Sequence, residues 1–217
     1  MTATEARPAA AGPGIPRRLI RLYLASRRVP TAMAVQVACA LVLWIALHWS
    51  WDAYGALQLP LLFETACACV IAIATMSPFG EPEHVTGRWL PWLRTGTTGA
   101  LTAAAAVALA AAGIGTDLAG GAPSAVRNLA GLTGIGLLCA AILGGTLAWI
   151  GPTVYMMIGV YALYSQWHGP AITTPWIWPA RPTDDLGAAI CAGLVFAAGM
   201  AAIALRGARD EARRGPE

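Results

Sequence analysis

Lysine is absent from this chain: all fourteen basic side chains are arginine. The absence removes chemistry. A Walker A phosphate loop needs its lysine, so no such site is present and the chain is not expected to hydrolyse ATP by itself. Schiff-base and lysine general-base mechanisms go with it. Charge of either sign is scarce, at 12% of residues, about half the share usual in soluble proteins. The net charge of +3 gives no reason to expect a nucleic-acid partner. The three histidines are scattered, HExxH and GxSxG are missing, and the adjacent Asp184 and Asp185 lie outside the apolar segments. No catalytic residue is therefore assigned, and an intramembrane enzyme is not expected. Cysteines at 39, 67, 69, 139 and 191 all fall in apolar segments, where thiols pack as small hydrophobes. Cys67 and Cys69, two apart on a predicted helix, point to different sides. Neither a metal site nor a disulfide framework is expected.

What the chain has in quantity is apolar surface, 57% of its residues. Its alanine-rich, arginine-only composition suits a GC-rich bacterial genome. The apolar residues gather into six stretches, about 31–50, 57–77, 95–115, 128–150, 152–168 and 186–206. About 20 helical residues cross a bilayer core. The expected fold is therefore all-α, a polytopic membrane protein of six transmembrane helices filling 16–206. A disordered tail is expected over 1–15 and a cytoplasmic tail over 207–217. The fourth and fifth stretches are parted only by Ile150-Gly151-Pro152-Thr153, read as a tight turn. The start is a poor cleavable signal, since some thirty residues precede a first apolar run of full span length.

Arginine placement predicts orientation. With six spans, one side carries twelve arginines and the other only Arg127 and Arg181. Both termini should then be cytoplasmic. Before the first span, residues 16–29 put Arg17, Arg18, Arg21 and Arg28 on one helical arc and Leu19, Ile20 and Tyr23 on the opposite one. This predicts an amphipathic helix lying in the membrane interface; the plainer alternative is a positive flank that only sets topology.

Two loops stand out. The cytoplasmic loop 78–94 carries Phe79, Glu81, Glu83, His84, Arg88, Trp89 and Trp92 among three prolines. A short helix between Pro82 and Pro91 would turn Glu83, His84 and Arg88 to the cytoplasm, where a soluble partner could push on them. An ordinary connecting loop is the alternative. Glu81, Glu83 and His84 lack a fourth ligand and are not expected to bind metal. The outer loop 169–185 holds four prolines with Trp176 and Trp178, both expected at headgroup depth. It is either a re-entrant element packed on protein or an interfacial surface loop.

Glu64 is the one carboxylate well inside a span. An ionised carboxylate there costs roughly 2.5–3.5 kcal/mol on insertion scales, so it must face protein or water. It lines a cavity or subunit interface, or it makes a buried hydrogen bond to a group such as Gln36. Tyr161 and Tyr164 share a face of the fifth stretch beside Met156 and Met157. They form either an adaptable binding wall along a pathway or plain packing. His48 and His168, next to tryptophans, are expected as interfacial anchors.

The order of these parts resembles the permeases of type-2 ABC exporters, over about residues 15–206. That family places an amphipathic connecting helix before six spans, an acidic coupling helix between the second and third, and re-entrant helices between the fifth and sixth. The matching places are 16–29, the SPFGEPEHVTGRWLPWLR loop and 169–185. The resemblance implies a bacterial cytoplasmic-membrane subunit with no cofactor of its own. ATP and Mg would sit on a separate nucleotide-binding ATPase that grips Phe79, Glu81, Glu83, His84 and Arg88. A second membrane subunit, identical or not, would complete the pathway, with Glu64, Tyr161 and Tyr164 as pathway residues. Two other readings fit the same residues. One is an immunity or scaffold subunit that transports nothing; the other is an ion-coupled carrier.

Overall fold

The computed structural model describes residues 24, 28–49, 53–75, 90–115, 121–165 and 173–206. Among them there is no β-strand. Six helices follow one another: α1 (Val29–Leu47), α2 (Ala53–Ala74), α3 (Leu90–Ala112), α4 (Gly121–Leu143), α5 (Ile150–Tyr164) and α6 (Leu186–Arg206). One-turn 3-10 segments at Gly145–Leu147 and Trp178–Ala180 precede α5 and α6. Among the described residues, five stretches are long and apolar enough to cross a membrane: α1, α3, α4, α6, and α5 counted from Gly145. The apolar part of α2, Gln58–Ala74, is shorter. This is a helical, multi-pass membrane architecture.

Hydroxyls inside these apolar helices bond to the helix itself. Thr65 donates to the Leu61 carbonyl at 2.7 Å, Thr97 to Leu93 at 2.6 Å and Thr102 to Thr98 at 2.9 Å. Such back-bonding lets threonine sit in lipid, where water is not available as a partner.

Helix ends depart from expectation where glycine and proline decide them. The turn between α4 and α5 is not at 150–153. It is made by Gly144, whose φ of 99° suits a residue without Cβ. Pro152 falls in the first turn of α5, where its missing N–H breaks no helical bond. Helix α3 likewise begins at Leu90 and takes Pro91, Trp92 and Arg94 into its first turns. Helix α4 starts at Gly121, so Arg127 is a helical residue and not part of an outer loop. At the other end of the chain, Arg28 has φ 53° and ψ 29° and caps α1, whose second residue is Pro30. No single helix therefore runs through Arg28 into the first span. Arg17, Arg18 and Arg21 lie outside the described residues, as do Phe79, Glu81, Glu83, His84, Arg88 and His168.

Helix α4 is the centre of the bundle. It packs most extensively on α6 and next on α2. The α4–α6 contact is backbone against backbone: a Cβ at Gly199 would lie 2.6 Å from the Gly134 carbonyl oxygen, and one at Gly134 2.6 Å from Phe196 Cα. Close approach of this kind needs small residues on both helices. Leu129, Leu132, Leu137 and Ala140 of α4 are fully buried. Helices α1 and α5 expose broad apolar faces, with Leu41 57%, Met157 63% and Tyr161 68% exposed.

Candidate functional site

Among the buried polar side chains, Glu64, Arg127 and Asn128 lie where α2, α4 and the segment before α6 meet. Glu64 lies eleven residues into α2, within its apolar part Gln58–Ala74. Its side chain is 2% exposed. A side-chain hydrogen bond joins it to Asn128 of α4, and the Arg127 charge acts on it. Glu64 Oε2 and Asn128 Oδ1 have no partner among the described residues.

Gln36 is not the partner of Glu64, since both of its amide atoms are buried without a partner among the described residues. Helix direction explains why. Cys39 and Cys67 share a side-chain contact across α1 and α2, and a short connection makes these helices antiparallel. Gln36 and Glu64 each precede those cysteines by three residues, so they lie on opposite sides of the contact, about 9 Å apart along the axis.

Arg127 ties α4 to the segment before α6. Its Nη1 donates to the Pro182 carbonyl at 2.7 Å and its Nη2 to the Arg181 carbonyl at 3.1 Å. Arg181 in turn donates to Asp185 Oδ2 at 2.6 Å, and Asp185 Oδ1 accepts from the Ala188 amide at 3.2 Å, capping α6. The Arg181 hydrogen bond, and then the Ala188 amide, hold the Asp185 carboxyl below its ordinary range.

The segment before α6 turns into the protein. Trp178, expected at headgroup depth, is 2% exposed. Its indole stacks on Tyr155 of α5 and is packed by Ala188 and Ala192 of α6. It fits against α4 because position 131 is glycine: a Cβ there would lie 2.5 Å from Trp178 Cζ2. The Tyr155 hydroxyl donates to the Trp176 carbonyl at 2.5 Å, while the Trp176 side chain is 48% exposed. Of the two tryptophans, only Trp176 is exposed.

Of the residues expected to line a pathway, Tyr161 and Tyr164 are on the outside of the bundle, 68% and 69% exposed, and do not meet Glu64. The residues that do, Arg127 and Asn128, were missed. A signal was present: they form an adjacent polar pair at the head of an apolar stretch, and Asn128 is the sole asparagine of the chain. All five cysteines are free thiols. Among the described residues no three His, Cys, Asp or Glu side chains group as metal ligands. An apolar furrow of about 450 Å³ between α1 and α3, lined by Val37, Leu41, Trp44 and Ala108, offers little polar surface to orient a ligand. No family model, no curated protein and no solved structure matches the chain.

Proposed function

We propose that the chain is the membrane-spanning permease subunit of an ABC-type exporter in a bacterial cytoplasmic membrane. It crosses six times with both termini inside, and it is driven by a separate ATPase that carries the ATP and Mg. The observation that supports this reading is the connection between α5 and α6, which turns inward and seats Trp178 against α4, α5 and α6. An outer element packed into the membrane domain is one of the parts on which the likeness to exporter permeases rests. The arginine distribution supports the orientation, and the exposed apolar faces of α1 and α5 suit a second membrane subunit as well as lipid. Glu81, Glu83, His84 and Arg88 form the surface that receives force from the ATPase. A transported molecule would move because its affinity differs between the states that ATP turnover selects.

Copurification in mild detergent tests the reading. A P-loop ATPase should accompany the wild-type chain and be lost from the Glu81→Arg, Glu83→Arg double variant, which should still insert normally. Equal recovery of the ATPase with both would remove the coupling role. Stimulation of that ATPase by a transported compound would separate an exporter from an immunity or scaffold complex.

Glu64 favours a second reading, an ion-coupled carrier. A buried intramembrane carboxyl beside an arginine is the kind of group on which such coupling is built. A carrier of that kind would move substrate into ATPase-free liposomes under an ion gradient, and Glu64→Gln would stop it.

A further inference from the structure

Of the buried polar atoms that lack partners among the described residues, four lie on three elements that meet: Glu64 Oε2, Asn128 Oδ1, Arg127 Nε and Trp178 Nε1. Their side chains belong to residues 2%, 6%, 7% and 2% exposed. They are neighbours. Glu64 bonds to Asn128 and feels the charge of Arg127. Gly131 follows Asn128 by three residues and Arg127 by four, so each neighbours Gly131 on the surface of α4. At that glycine a Cβ would lie 3.0 Å from Trp178 Nε1. The residues that carry the unmet atoms on α4 thus lie within about one helical turn of one another, with Trp178 against Gly131 and Glu64 beside Asn128. A group left unsatisfied in a dry interior is costly, and in native proteins such sites are completed by a bound water or ion.

The donor set decides the class of guest. A cation would face the Arg127 guanidinium and an indole N–H. An anion would face the Glu64 carboxyl and the Asn128 carbonyl oxygen. An apolar molecule would leave all four atoms unmet. A small neutral molecule with both donors and acceptors answers them: two N–H groups donate to it, and two oxygens accept from it. Water has that valence, two hydrogens and two lone pairs.

We propose that Glu64, Asn128, Arg127 and Trp178 enclose an occluded water-binding site within one subunit, with the Trp178 indole as the wall between it and the outer face. The site is a property of this chain alone and stands whether or not an ATPase drives it, so the copurification experiment does not bear on it.

The test uses the wild-type chain in lipid bilayers with ¹⁵N-labelled tryptophan indoles, read by water-edited solid-state NMR. Trp178→Phe identifies the Trp178 signal by its loss; if that variant does not fold, backbone assignment of the wild type identifies it. The Trp178 indole should receive magnetisation from water while exchanging with D2O at least tenfold more slowly than the exposed Trp92 and Trp49. Asn128→Leu, which removes an acceptor and fills space, should cut that transfer by half or more in protein that retains the other indole signals. If Asn128→Leu does not fold, Glu64→Gln, whose added N–H donors disturb the same water, replaces it with the same expectation. A wild-type Trp178 indole that receives nothing from water, or one that exchanges as fast as Trp92, overturns the proposal.

Discussion

The indole of Trp178 lies on the phenol ring of Tyr155, with ring centroids 4.4 Å apart and planes inclined by 28°. The same tyrosine reaches past the stack to hold the Trp176 carbonyl. One residue of α5 therefore fixes both the face and the backbone of the segment before α6. Tyr155→Phe keeps the stack and removes the hydrogen bond. It should cost about 1 kcal/mol, a fall of about 2–4 °C in thermal midpoint for a chain of this size, measured in detergent by intrinsic fluorescence.

Arg127 spans two carbonyls with one planar guanidinium. Lysine keeps the charge and loses the fork. Losing one charge-assisted bond is worth about 1.5–3 kcal/mol, so Arg127→Lys should raise local opening of the segment roughly tenfold or more. Hydrogen exchange at the Ile177, Ala180 and Arg181 amides, which bond within its turns, reads this directly. Unchanged exchange there would mean that Arg127 does not tether the segment.

Two glycines of α6 should answer differently to the same change. Gly199→Ala forces a Cβ against the Gly134 carbonyl oxygen, where only backbone could give way. The expected cost is on the order of 1–3 kcal/mol. Gly193→Ala meets no atom within 4 Å and should change stability by less than about 0.5 kcal/mol. Unfolding in a denaturing detergent series compares the pair in the same bilayer mimic.

Asp185 gives a pH dependence whose sign is fixed by its bonds. Its carboxyl is held below the ordinary value by Arg181 and the Ala188 amide. The stabilisation is therefore complete above the unfolded value of about 3.9 and is lost as pH falls through the lower folded value. The Asp185→Asn variant should unfold at a lower temperature than wild type at pH 7, and the gap should close as the medium is acidified past that range. A gap that persists at low pH would assign the difference to something other than the ionised carboxyl.

Much of the architecture was legible because lipid makes composition decisive. Uninterrupted apolar runs identified the helices that became α1, α3 and α6 to within a few residues at most ends. The errors fell where one residue type has two uses. Gly151 and Pro152 read as a turn, yet proline is equally at home in a first helical turn, and the turn belonged to Gly144. Arg127 read as an outer flank because arginines usually end spans; here its guanidinium has partners on a segment 54 and 55 residues away, which no local pattern reveals. Trp178 read as an interfacial anchor for the same reason. Its burial depends on Gly131 and on the small side chains of Ala188 and Ala192, a three-element fit invisible along the chain. Glu64 was legible as an anomaly, but its partner was not, since the choice of Asn128 over Gln36 is set by helix direction.

The contact of Gly134 with Gly199 constrains how this subunit can move. Sliding would drive peptide groups into each other and separation would open the most extensive helix contact in the bundle, so α4 and α6 travel as a single spar. The pivots of any large rearrangement must lie at the joints that leave this pair, at the Gly144 bend and at the strut from Arg127 to Pro182.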